Sequence, residues 1–134
     1  MAEDLERACG DRIRENDIVI LDSPYKIPPF TPLTNTPEDK RLVIGRETAL
    51  WLKEKKVKCV GFGDGVSIES NNTDVSAFHD VLMEVNVVFL EVLQNLEELS
   101  TDTFFMSYAA IPIKGLDSCP IRAYAIEGLA EFSK

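Results

Sequence analysis

Phe78-His79-Asp80-Val81-Leu82-Met83-Glu84-Val85-Asn86-Val87-Val88-Phe89-Leu90-Glu91-Val92-Leu93-Gln94-Asn95-Leu96-Glu97-Glu98-Leu99 is the stretch whose reading decides the fold. Before Asn86 the apolar residues Val75, Phe78, Leu82 and Met83 recur at helical intervals, which predicts a short helix carrying His79. Val87-Val88-Phe89-Leu90 is then a continuous β-prone run, the pattern of a strand buried on both faces. Leu93, Leu96 and Leu99 resume a helix-like spacing. A helix that leads into a returning strand can bring its imidazole near the far end of that strand, where Glu91 closes the apolar run.

His79 is the only histidine in the chain, and Glu91 follows it by twelve residues. A neutral ring nitrogen beside a carboxylate suits a divalent metal such as zinc or manganese. Spacing alone does not assign one. A lone histidine on a short helix is more often a surface or hydrogen-bonded residue, a glutamate ending a strand is more often solvated, and zinc sites use three or four protein ligands.

The 134 residues are long enough for one domain with a real core, and 45% apolar with 28% charged is an ordinary globular balance. A net charge of −9 and a pI near 4.6 argue against nucleic acid, which is bound by clustered Lys and Arg, and against anionic membrane surfaces. No apolar run approaches the roughly 20 residues of a bilayer span. The opening Met-Ala-Glu-Asp-Leu-Glu-Arg has neither the basic start nor the apolar core of a signal peptide, so the expected setting is cytoplasmic. Cys9, Cys59 and Cys119 are odd in number and far apart, which fits neither a disulfide framework nor a thiolate zinc cluster.

From the start, residues 2 to 8 are charged with spaced apolar positions and read as a short amphipathic helix or a frayed leader. Ile18-Val19-Ile20-Leu21 is a buried strand running into the Asp22-Ser23-Pro24 loop. Residues 24 to 39 hold five of the seven prolines, an irregular excursion that is either plain surface or a lid over substrate. Glu47 to Lys56 is helical, with Ala49, Leu50 and Leu52 on the apolar side, and Val57-Lys58-Cys59-Val60-Gly61-Phe62 is the next strand. Gly61, Gly63 and Gly65 around Asp64 read as turn chemistry, because the spacing is not the dinucleotide fingerprint. Ser67 to Asp74 reads as a polar loop. Residues 104–111 and 121–126 form two adjacent closing strands, so the fold class is α/β or α+β.

In order and spacing, these blocks resemble the C-terminal portion of the metal-dependent cyclase-like hydrolases, the family that includes bacterial kynurenine formamidase (arylformamidase). Asp17-Ile18-Val19-Ile20-Leu21 resembles the strand after a Gly-Asp turn, and Glu47 to Phe62 resembles the helix and strand ahead of an Asp-x-x-Ser element. That element reads Gly63-Asp64-Gly65-Val66-Ser67-Ile68-Glu69 here, one residue out of register, which leaves Asp64 without an assigned role. His79-Asp80-Val81-Leu82 and Glu91-Val92-Leu93-Gln94-Asn95-Leu96 resemble the His-x-x-Leu-Leu and Glu-Asn-Leu-x-Asn-Leu blocks, with Val92 in place of the first Asn. Ile111-Pro112-Ile113-Lys114-Gly115 and Pro120-Ile121-Arg122-Ala123 resemble the closing Pro-Leu-Lys and Pro-Val-Arg-Ala pattern.

The resemblance implies a single domain over residues 1–134 with the C-terminal part of a cyclase-like swivelling β/β/α fold, truncated on its N-terminal side. It implies His79 and Glu91 as residual ligands of a zinc or manganese ion, and amide or formamide hydrolysis of the kynurenine-pathway type. The family's His-x-Gly-Thr-His-x-Asp-x-Pro signature cannot be present in a chain with one histidine. Two ligands fall below the three of a catalytic zinc, and the groups that would activate water are missing with the motif. Three functions therefore stand open: part of a split hydrolase completed by a partner that supplies the histidines, a non-catalytic binding or oligomerising module on the same fold, or an unrelated small α/β protein. In the first two, truncation exposes an edge or apolar surface that favours a homo-oligomer or partner docking.

Overall fold

The computed structural model describes residues 2–28, 31–69 and 73–129, which pack as two compact units, 1–94 and 95–134. The fold is mixed α/β. The first unit contains α1 (Ala2–Cys9), β1 (Ile18–Leu21), β2 (Leu42–Val43), α2 (Arg46–Glu54), β3 (Cys59–Gly63), β4 (Val66–Ser67), α3 (Thr73–Met83) and β5 (Val88–Leu93). Three strands form a parallel sheet in the order β1-β3-β5, and β2 and β4 form a separate two-residue parallel pair. Parallel neighbours require crossovers, and here α2 and α3 lie in them and pack on each other.

All five residues of β3 are buried, as befits the middle strand of a sheet. Phe62, Phe78, Ile44, Leu52 and Leu82 are the largest fully buried side chains. Gly63 and Gly65 are glycines for proximity: a Cβ on either would run into Asp22 or Ser23, which cross directly over the end of β3. The Asp22 carboxylate accepts the Gly65 N–H at 3.1 Å, and the Ser23 hydroxyl donates to the Gly65 carbonyl at 2.7 Å. At the amino end, α1 is held to α2 by Glu6, which accepts from the Trp51 indole N–H at 2.6 Å and pairs with Lys55 at 2.8 Å.

Several local expectations shift. β5 is the outermost strand of its sheet, and Val88 is 48% exposed rather than buried on both faces. Leu93 completes β5, Asn95 takes a left-handed backbone, and only one 3₁₀ turn (Leu96–Glu98) follows instead of a helix. On α2 the buried side is Thr48, Ala49, Trp51 and Leu52, while Leu50 points outward, as the 100° step of a helix demands. Met83 at the end of α3 is exposed too. Ser67, Ile68 and Glu69 are buried, not a solvated loop.

The last shift has a cause that the sequence did not announce. Arg41 is 4% exposed and grips Asp39 with two bonds of 2.7 and 3.0 Å. It also grips Glu69 at 2.9 and 3.0 Å, and the Ser67 hydroxyl donates to the same Glu69 carboxylate at 2.9 Å. One cation thus joins the far end of the proline-rich segment to the strand pair β2-β4.

The second unit contains β6 (Phe105–Ala110) and β7 (Ile121–Ile126), an antiparallel hairpin with Phe105 opposite Ile126 and Ala110 opposite Ile121. Its base is closed by Glu127, whose carboxylate accepts from the backbone N–H and hydroxyl of both Ser100 and Thr101 at 2.8–2.9 Å. These bonds hold the Glu127 carboxyl below its usual range. Not one of the described residues from 95 to 129 is buried. Cys9, Cys59 and Cys119 are not joined in disulfides, and among the described residues no helix is long and apolar enough to cross a membrane.

Removing the Arg41 cation leaves two buried carboxylates facing each other. Arg41→Met should therefore cost about 3–5 kcal/mol in urea unfolding, the usual penalty for breaking a buried ion pair from one side. The guanidinium also holds Asp39 at about 2, against an ordinary 3.8. Asp39's share of the stability should be complete above about pH 4 and disappear as the pH falls toward 2. A loss of under about 1 kcal/mol would mean the cluster is solvated.

Candidate functional site

His79 lies on α3 beside the buried stripe of Val75, Phe78, Val81 and Leu82, so its ring is only partly covered. Its Nδ1 sits 2.8 Å from the carbonyl oxygen of Val75, one turn earlier. On β5, Phe89 and Glu91 are two residues apart and share a face of the strand, the face toward α3. There the His79 Nε2 is 3.4 Å from the Glu91 Oε1. The structure brings together the two residues singled out from the sequence.

Both ring nitrogens consequently face oxygen acceptors. A neutral imidazole carries a single N–H. Both oxygens can only accept, and the shorter contact, 2.8 Å to Val75 against 3.4 Å to Glu91, favours the proton on Nδ1 and leaves the Nε2 lone pair pointing at a carboxylate. That arrangement is satisfied when a positive charge joins it, either a second proton on the ring or a cation between ring and carboxylate. Glu91 is the main reason the His79 pKa is raised above 6.5; burial opposes the shift and Val75 adds to it. The pair's contribution to stability is complete below about pH 6.5 and is lost as the pH rises through the raised folded pKa.

The separation also fits an ion. Two donors on one tetrahedral zinc, with bonds of about 2.0–2.2 Å, stand roughly 3.3–3.6 Å apart. His79 and Glu91 already stand at 3.4 Å, with Nδ1 held by a backbone carbonyl, as ligating histidines usually are. Among the described residues, no group of three or more His, Cys, Asp or Glu side chains is placed to hold a metal ion. Asp64 is engaged elsewhere: the Lys26 ammonium lies 3.0 Å from its carboxylate and pairs with Asp22 as well, clasping the start of the proline-rich segment to the ends of β1 and β3.

Just past Glu91 the strand is irregular. Gly61 pairs with Leu90 but Gly63 pairs with Leu93, so β5 carries one extra residue opposite Phe62. This is a β-bulge, rare in a parallel pair. Val92 makes it, with φ at +57°, a left-handed backbone that a β-branched residue adopts only under strain. The bulge lets Val92 pack on the core that Phe62 and Phe78 belong to, while Leu93 crosses to the other face and lies over Gly61. Neither the bulge nor the rings around His79 followed from the sequence, although the two-residue step from Phe89 to Glu91 was a signal for the nearest ring.

Comparison with known proteins assigns no family to this geometry: no family model, no curated protein and no solved structure matches the chain.

A left-handed valine costs about 1–2 kcal/mol, and exchanging its half-buried isopropyl group for a polar amide removes about 1 kcal/mol of apolar burial. Val92→Asn should therefore stay within about 1 kcal/mol of the parent in urea unfolding, because the two effects oppose. Leu90→Ala, two residues earlier on the same strand, should cost about 2–5 kcal/mol. Equal losses in the two variants would show that Val92 is not strained.

Proposed function

We propose that this chain is one part of a metal-dependent hydrolase of the cyclase/arylformamidase type, inactive alone. The observation that carries the reading is the His79–Glu91 pair: two acceptors around one ring N–H, at a spacing that suits a divalent ion such as zinc or manganese. A divalent ion held there would supply Lewis-acid chemistry for hydrolysis of an amide or formamide, of the N-formylkynurenine kind. His79 would offer Nε2 and Glu91 Oε1 to the ion, with the Val75 carbonyl on the other ring nitrogen. The remaining ligands and the general base would have to come from a partner or further segment that carries the histidine motif.

A second reading has its own support. Residues 95–129 form a hairpin unit without a buried residue, and Phe105, Ile111, Ile113, Leu116, Tyr124, Ile126 and Leu129 are all exposed. A lone hairpin is marginal in water, so this surface fits a non-catalytic module that docks on a partner or on a second copy of itself.

The isolated chain should not hydrolyse N-formylkynurenine at enzymatic rates with zinc or manganese present. It should nonetheless bind zinc weakly in calorimetry, with the binding lost in His79→Ala and weakened in acid, where protons compete for Nε2. Metal-dependent turnover that vanishes in His79→Ala would contradict the incomplete-site reading. Zinc binding indifferent to His79 would remove the metal assignment and leave the docking module.

A further inference from the structure

His79 is enclosed by rings: the centroids of Phe89, Phe78 and Phe62 lie 4.7, 5.9 and 6.3 Å from the imidazole. Phe78 and Phe62 are fully buried and belong to the core whatever the site does. Phe89 is different. It is half-buried on the outermost strand and makes the closest ring contact with His79. It stacks in turn on Phe62, with centroids 6.0 Å apart and planes 21° apart, so the ring that meets His79 is itself braced by the core.

The polar contacts do not immobilise the imidazole by themselves. A bond from Nδ1 to Val75 and a 3.4 Å approach to Glu91 can both be lost by rotation about the terminal side-chain torsion, which is broad for histidine. A braced phenyl ring with its centroid at 4.7 Å and its plane tilted by 56° stands in the way of that rotation. We propose that Phe89 is a positioning residue: its ring holds the His79 imidazole in the one orientation that keeps Nδ1–H on the Val75 carbonyl and the Nε2 lone pair toward Glu91, where a divalent cation is received. The inference rests on the metal reading of His79 for its purpose but not for its test.

Because the chain has one histidine, its two ring nitrogens give a single pair of signals in ¹⁵N-labelled protein. At a pH where the ring is neutral, the parent and Phe89→Tyr should show one protonated Nδ1 and one bare Nε2. In Phe89→Leu the two shifts should move toward each other as the tautomers exchange, and zinc affinity should fall about 10-fold or more in calorimetry, as when an outer support of a ligand is removed. Phe89→Met, which keeps most of the volume, serves if Phe89→Leu does not unfold cooperatively. Parental shifts in a folded Leu or Met variant would overturn the proposal, and so would an Nε2–H tautomer in the parent. A parent that binds no zinc would sink the metal reading alone, and the nitrogen shifts would still decide for or against Phe89.

Discussion

One imidazole with one N–H stands between two oxygen acceptors, and this is the constraint to which the chemistry of the chain reduces. The Val75 carbonyl comes from the helix that carries His79, so that contact is set by the pitch of α3 alone. The Glu91 carboxylate comes from β5, so the second contact exists only while the crossover holds α3 over the sheet. Breaking the packing of α3 would separate the pair without touching either side chain. The site is a property of the βαβ unit, and the burial of Phe62, Phe78 and Leu82 beneath it is what maintains the geometry.

Charge is handled differently around Arg41 and Lys26. Arg41 brings its own cation to Asp39 and Glu69, and Lys26 does the same for Asp22 and Asp64. In both places the carboxylates are matched by a side chain and no further cation is called for. His79–Glu91 is left to a proton or an ion, and this contrast with the two lysine- and arginine-matched clusters is what makes the pair a candidate site. The acidic balance of the protein, −9 overall, raises the local attraction for any cation.

The α/β class, the helix under His79 and the strands around Cys59 and Phe89 were legible because hydrophobic period reports burial, and burial decides these elements. Edges were not legible: Val87 to Leu90 has the composition of a buried strand whether or not a neighbour lies beyond it. Val92 hid the bulge, since a left-handed turn is announced by Gly or Asn and not by valine. Arg41 and Glu69, twenty-eight residues apart, carried no local mark of their pairing. His79 and Glu91 were found by combining periodicity with a family resemblance; the ring of Phe89 was hidden because contacts across a sheet face require the register first.

The central claim is that the His79–Glu91 pair receives a cation at Nε2. Zinc-edge X-ray absorption on the protein loaded with one equivalent of zinc tests it most directly, because an imidazole ligand leaves outer-shell scattering that water and carboxylate do not. The account predicts a single imidazole nitrogen and oxygen donors at about 2.0–2.2 Å, with the imidazole signature lost in His79→Ala. A zinc spectrum of oxygen donors alone in the parent protein would contradict it.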